Sequence, residues 1–180
     1  RNIDQNIADL RAMVAAQEAG ADFTGVFAGY PGWLNSEFRS ALATALARGH
    51  SLLLHESVTN AELRGLYQAA AFTIYASLDE GFGLPIIESL RHGRPCITSD
   101  RGSMREIADL TGGCLLIDPE DTADMATAIA GLFEVPDDLA RLTLEAEQAE
   151  WPDWREYTEQ LVRFATRPSA SLKIRQRPAA

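Results

Sequence analysis

Several features that mark other classes of protein are missing from this sequence. It has only two cysteines in 180 residues, too few for a disulfide scaffold. No apolar run approaches the roughly twenty residues of a membrane span, and no signal peptide is recognisable. The Gly-x-Gly-x-x-Gly fingerprint of dinucleotide-binding dehydrogenases does not follow the first predicted strand. We therefore expect a soluble cytoplasmic protein in which Cys96 and Cys114 are reduced core residues.

Positive charge is also scarce. The chain has 16 Lys and Arg against 26 Asp and Glu, a net charge of −10. The last fifteen residues are basic and contain no acid, so the acidic excess lies in residues 1–165. An acidic body argues against a nucleic-acid partner. We predict that the tail, residues 166–180, is disordered, with peripheral contact to anionic lipid at the cytoplasmic face of a membrane as the alternative.

What the sequence does contain is a regular alternation of apolar runs with segments of helical period. The predicted strands are 22–28, 51–54, 71–76, 96–99 and 114–117, and the predicted helices include 2–19, 36–48, 60–70, 84–92, 122–133, 136–150 and 151–165. This order predicts an α/β fold, a Rossmann-like parallel sheet with helices on both faces and right-handed crossovers. We expect one domain over residues 1–165.

One stretch, Ser77 to Gly93, organises the chain. An apolar run leads into a glycine-rich turn, which opens directly into a helix. Gly81 and Gly83 permit a tight turn and close approach of a ligand, while Pro85 suits the first helical turn and Gly93 the position after the last. The unpaired N–H groups of such a helix start bind anions. The stretch therefore predicts a phosphate cradle.

Two carboxylates, Glu80 and Glu88, stand eight residues apart in this stretch. A carboxylate accepts hydrogen bonds from two hydroxyls, which suits a vicinal diol such as ribose. At this point, ordinary structural roles for both carboxylates remain open. Glu80 can be a carboxylate favoured by the helix dipole, and Glu88 can be a solvated residue on an exposed helical turn.

The run Glu80-Gly-Phe-Gly-Leu-Pro-x-x-Glu88, followed after the next strand by Ser103-Met-Arg-Glu106, resembles the donor-binding half of retaining GT-B glycosyltransferases. These are the group 1 enzymes of family 4 with an E-x7-E motif. The resemblance covers residues 1–165. It implies transfer of a sugar from a nucleotide-diphosphate sugar to an acceptor, with retention of the anomeric configuration.

The resemblance assigns roles within the cradle. It implies that Glu80 is the catalytic carboxylate that orients the donor sugar and that Glu88 binds the ribose. The other donor-binding positions of the cradle are Gly81, Phe82, Gly83 and Leu84.

Further positions match the family more loosely. Val58 matches the residue whose backbone meets the nucleobase, and Gly29 belongs to a glycine loop after a strand. Arg1 stands where a diphosphate-binding lysine is usual. Arg101 is a second candidate for the diphosphate. Glu106 is either a ligand contact or a capping partner of Ser103.

No Asp-x-Asp pair of metal ligands occurs anywhere in the chain. We therefore predict transfer without a metal and without a cofactor, the nucleotide sugar being a co-substrate. A helix N-terminus and a cation would stabilise the departing phosphate.

The first strand of the family's domain and its whole acceptor domain are not in this sequence. We expect a donor half that binds donor but does not transfer sugar alone, with an unpaired position in its sheet. Its partners would be the missing N-terminal domain and a glycan or lipid-linked acceptor. A non-catalytic nucleotide-sugar binding module is the alternative function. An epimerase or phosphorylase of the same architecture is less favoured, because the cofactor-lysine motif of phosphorylases is absent.

Overall fold

The computed structural model describes residues 2–29, 36–151 and 154–166 of the chain. The predictions for Arg1, for most of the loop after the first strand and for the tail lie outside these residues. The described elements are α1 (Asn2–Glu18), β1 (Gly25–Gly29), α2 (Ser36–Ala47), β2 (Leu52–Glu56), α3 (Asn60–Ala69), β3 (Thr73–Tyr75), α4 (Leu84–Arg91), β4 (Cys96–Ser99), α5 (Gly102–Thr111), β5 (Cys114–Ile117), α6 (Thr122–Glu134), α7 (Pro136–Gln148) and α8 (Trp154–Ala165).

The strands are all parallel, as the alternation predicted, but they form two sheets instead of one. β1 pairs with β2, and β3, β4 and β5 pair in that order. Among the described residues the outer strands β1, β2, β3 and β5 therefore each keep one edge without a ladder. The unpaired position that we expected in place of the family's first strand stays a prediction.

One hydrophobic core nevertheless serves both sheets. Phe23 precedes β1 and Phe72 precedes β3, and their ring centroids lie 5.0 and 5.3 Å from that of Phe133 on α6. Phe27 of β1 packs edge-on against Phe38 of α2 at 5.1 Å. The aromatic contacts thus join the two sheets through α6 without main-chain pairing.

Helices cover both faces of the three-stranded sheet. Ile97 of β4 is fully buried in the core shared with α1 and α6. On the opposite side, α4 and α5 both contact β4. All four residues of β4 are buried, which is typical of a central parallel strand. The predicted architecture, helices on both faces of parallel strands, is confirmed.

The two cysteines are free thiols in register on β4 and β5. Cys96 is buried and Cys114 is half-buried. Burial raises the pKa of Cys96 to about 12, so this thiol is protonated and unreactive at neutral pH.

One helix start differs from its prediction. We expected Asn60 to cap α3, but the cap is Thr59. Its side chain accepts from the Glu62 N–H, and the Glu62 carboxylate accepts from the Thr59 N–H. In this reciprocal capping box, the side chains of Thr59 and Glu62 each pair a main-chain N–H that would otherwise lack a partner. An Asn at the first helical position would pair fewer of these N–H groups.

The described contacts divide the chain into one unit over Arg1–Ala149 and another over Glu150–Ala180. All strands and α1 to α7 belong to the first unit, and α8 belongs to the second. Among the described helices, none has both the length and the apolarity that a membrane crossing needs.

Asp9 is an ionisable residue within the buried part of α1. The Gln5 side-chain amide donates to its carboxylate at 3.3 Å. Burial nevertheless raises the pKa of Asp9 from 3.8 to about 7. The pKa of Asp9 is higher in the folded state than in the unfolded state. At pH values between the two, the folded state therefore binds more protons. Stability is therefore lost as the pH rises from about 4 to about 7.

We predict that Asp9→Asn stabilises the chain at pH 8 and has little effect near pH 4. The gain at pH 8 should be on the order of 2 kcal/mol, because the carboxylate keeps partial access to solvent. Urea unfolding at both pH values measures it. Asp22→Asn, at an exposed site, is the control. An equal effect of Asp9→Asn at the two pH values would contradict the buried-carboxylate explanation.

Candidate functional site

The turn between β3 and α4 forms the predicted cradle. Gly83 precedes the helix with φ 92°, in the left-handed region, and no side chain caps the helix start. Among the described residues, no hydrogen bond to the main-chain N–H of Gly81, Phe82 or Leu84 is present. The Phe82 and Leu84 side chains are 58% and 60% exposed. The turn thus offers unpaired N–H groups at a helix N-terminus, an arrangement that suits an anion.

Helix α4 is locked against the sheet by a buried hydroxyl chain. Thr73 Oγ1 donates to Ser89 Oγ at 2.7 Å, and Ser89 Oγ donates to the Arg94 carbonyl at 2.9 Å. Ser89 is fully buried, as are Ile86 and Leu90 on the same side of the helix. These contacts fix the rotation of α4 about its axis and leave the neighbouring Glu88 exposed at the surface.

Glu80 is held by two hydroxyl groups. Ser77 Oγ donates to Glu80 Oε1 at 3.0 Å. Ser103 Oγ donates to the Glu80 carbonyl at 3.0 Å. Burial, followed by the nearby Glu80 side chain, raises the pKa of Tyr75. Tyr75 therefore remains protonated at any physiological pH.

Glu88 has a different set of partners. The Tyr67 hydroxyl of α3 donates to Glu88 Oε2 at 3.0 Å. The Tyr67 ring stacks on His92 with centroids 5.1 Å apart and an angle of 16°. His92 Nδ1 lies 2.7 Å from the Glu88 carbonyl, to which it donates. Burial, followed by the Glu88 carboxylate, raises the pKa of Tyr67, so this hydroxyl is also a donor.

The predicted nucleobase region lies at the carboxyl ends of β1 and β2. Gly29 ends β1, and its carbonyl accepts from the Ser57 N–H at 3.0 Å. Ser57 has φ 58°, a left-handed conformation that is uncommon outside glycine. Val58 follows it and is half-buried. The Thr59 N–H, the main partner of the Glu62 carboxylate, lowers the pKa of Glu62 and fixes the start of α3.

Two weaker candidates have other contacts. Arg101 donates to Asp118 at 2.6 Å and to Glu120 at 2.7 Å, and Asp100 lies 3.6 Å away. Its charge is thus compensated locally by three carboxylates. The alternative role of Glu106 as the capping partner of Ser103 is wrong, since α5 begins at Gly102 and has no side-chain cap.

Sequence reasoning missed the hydroxyl groups that hold the two carboxylates, Tyr67 and Ser77. Tyr67 lies on α3, so its contact with Glu88 depends on how the helices pack. Ser77 lies only three residues before Glu80, but a serine in a turn carries no specific signal of this contact. Ser57 was also missed. A serine carries no sequence signal for a left-handed conformation.

In the part of the chain that the structure describes, no cluster of three or more His, Cys, Asp or Glu side chains can hold a metal ion. A groove of about 530 Å³ lies between α1 and α2. None of the predicted site residues lines this groove. The groove therefore does not coincide with the predicted donor site, which is defined by the chemistry of the cradle.

The family profile described as Glycosyl transferases group 1 matches residues 2–134. The chain belongs to this family. Among the similar proteins, the O-antigen chain mannosyltransferase RfbU of Salmonella typhimurium is 40% identical over 88 residues, which are 49% of this chain and 24% of that protein. The O-antigen chain mannosyltransferase B of Escherichia coli is 31% identical over 132 residues, 70% of this chain and 33% of that protein. The group 1 chain thus spans about a quarter to a third of these relatives.

Solved structures place the fold as one half of the GT-B architecture. Anabaena HepE, solved in complex with UDP and glucose, superposes with a TM-score of 0.67 at 16% identity, covering 86% of this chain and 43% of that one. A trehalose-6-phosphate synthase, studied for glycosyl transfer with retention, gives 0.59 at 14% identity, covering 79% and 37%. At these identities the likeness concerns the fold alone.

We predict that Gly83→Ala, in the cradle, lowers the stability of the folded chain, whereas Gly81→Ala does not. A Cβ on Gly83 would lie 3.2 Å from Ile86 and 3.3 Å from Ile107, and the residue has φ 92°. Forcing alanine into this conformation costs about 1–2 kcal/mol before the contacts are counted. Gly81 has open space at the same position, so Gly81→Ala should stay within about 0.5 kcal/mol. Thermal unfolding of both variants measures the difference, and equal losses would contradict it.

Proposed function

We propose that this chain is the donor-binding half of a retaining, metal-independent glycosyltransferase that uses a nucleotide-diphosphate sugar. The observation that carries the proposal is the pairing of Glu80 and Glu88 across the unpaired amides at the start of α4. Both carboxylates are held by hydroxyl donors, and the helix is locked to the sheet between them. Membership of the group 1 family and the likeness to HepE support the same function.

Each part of the site suits one part of the donor. The N–H groups of Gly81, Phe82 and Leu84 would bind the diphosphate and the sugar, as the positive end of the helix dipole favours an anion. Glu88 would accept from the two ribose hydroxyls, and Glu80 would accept from the donor sugar. Val58 and Gly29 would border the nucleobase.

The leaving diphosphate must be stabilised as charge develops on it. In this proposal the amides supply that stabilisation, together with a cation that Arg1 would provide. No metal and no further cofactor take part. Glu80 orients the sugar and does not form a covalent bond with it. Retention is proposed from the E-x7-E resemblance, and it is also the stereochemical outcome for which the trehalose-6-phosphate synthase was studied.

The relatives suggest the substrate class. Both are named as O-antigen chain mannosyltransferases, so we propose a hexose donor, with mannosyl conjugates as the first to test, and a glycan or lipid-linked acceptor. A nucleotide-sugar binding module without activity is the second candidate. Turnover by a protein that contains this chain and an acceptor domain would separate the two.

We predict that the chain binds a nucleoside diphosphate or its sugar conjugate without a divalent ion. Calorimetric titration of UDP, GDP, UDP-glucose and GDP-mannose in excess EDTA should give the same affinity as titration with magnesium. Binding that requires magnesium would overturn metal independence. Binding of none of the four ligands would argue against the donor site itself.

The two carboxylates should be separable by ligand. Glu88→Gln should weaken both the free nucleotide and its conjugate by about 1.5–3 kcal/mol, the usual worth of hydrogen bonds to a charged group. Glu80→Gln should weaken only the conjugate. Glu134→Gln, at an exposed glutamate on α6, is the matched control. If Glu80→Gln weakens the free nucleotide as much as Glu88→Gln does, the assignment is wrong.

A further inference from the structure

We propose that Tyr67 is a positioning residue that holds the ribose-binding carboxylate of Glu88 in its binding orientation. The inference rests on the proposed function, because it assigns how that site is organised. Tyr67 would not touch the reacting atoms.

Tyr67 lies in a closed set of contacts. Its hydroxyl donates to Glu88 Oε2 at 3.0 Å, its ring stacks on His92 at 5.1 Å, and His92 donates back to the Glu88 carbonyl at 2.7 Å. The tyrosine is therefore fixed by the same helix whose glutamate it holds. An exposed glutamate otherwise has large rotamer freedom, which binding would have to restrict.

The hydrogen bond from Tyr67 leaves Glu88 able to bind a diol. A carboxylate has about four lone-pair sites, and among the described side chains Tyr67 occupies one, on Oε2. The remaining sites can accept two ribose hydroxyls.

Tyr67 should affect both ligands alike, because Glu88 is proposed to contact the nucleotide, which is present in both. A purely structural role for Tyr67 would lower thermal stability, and its effect on affinity would be independent of the Glu88 carboxylate.

The experiment uses the full chain with Tyr67→Phe and, as the matched control, Tyr157→Phe on α8. Phenylalanine keeps the ring contacts and removes only the hydroxyl. Calorimetry with GDP, GDP-mannose, UDP and UDP-glucose gives the affinities, and thermal unfolding gives Tm for each variant. Tyr67→Phe combined with Glu88→Gln completes a double-mutant cycle.

We expect Tyr67→Phe to weaken nucleotide and conjugate equally, by about 3-fold to 10-fold, as loss of one hydrogen bond normally does. Added to Glu88→Gln, Tyr67→Phe should have less than about 2-fold further effect, because its hydroxyl acts through the carboxylate.

Three results would overturn the inference. Native-like affinity of Tyr67→Phe, with weak binding by Glu88→Gln, would remove the role of Tyr67 and leave the proposed function standing. Full additivity in the double variant would show that Tyr67 acts independently of Glu88. Absence of binding by the unmodified chain would overturn the donor site and, with it, the role of Tyr67.

Discussion

The buried hydroxyl of Ser89 is the contact on which the site depends. It accepts from Thr73 of β3 and donates to the Arg94 carbonyl before β4, so one side chain ties α4 to two neighbouring strands. A buried hydroxyl without partners would cost free energy, which gives this arrangement a strong preference over any rotated one. Because the rotation of α4 is fixed, Glu88 faces outward and the start of the helix points at the turn that carries Glu80.

Because the chain is strongly acidic, the cradle would have to attract an anion against the overall charge. A net charge of −10 opposes the approach of a nucleotide diphosphate, and the three carboxylates around Arg101 compensate the charge of that residue. The positive end of α4, equivalent to about half a unit charge, is then a principal local attraction for an anion. In the proposed function, specificity comes from carboxylates that accept hydroxyls, and attraction comes from main-chain amides.

Much of the fold was predictable from local pattern. β4 and β5 have the predicted bounds because each is a short run without charged residues that directly follows a proline or glycine and stops at an aspartate. The predicted first and last residues of the elements were less accurate. β1 begins at Gly25, three residues after its predicted start at Asp22, because pairing with Leu52 of β2 sets where the ladder begins. The division into two sheets could not be predicted from periodicity. The spacing of apolar residues shows which faces of a strand are buried, but it does not show which strands pair with each other.

The sequence by itself determined the α/β class, the glycine turn before α4, and the spacing of Glu80 and Glu88. These depend on backbone conformation and helical period, which act over a few residues. The tertiary structure alone decided that Tyr67 holds Glu88 and that three carboxylates compensate the charge of Arg101. Tyr67 and Glu88 are 21 residues apart in the chain and meet only because α3 packs beside α4. Contacts of this kind arise when elements pack, and no local pattern encodes them.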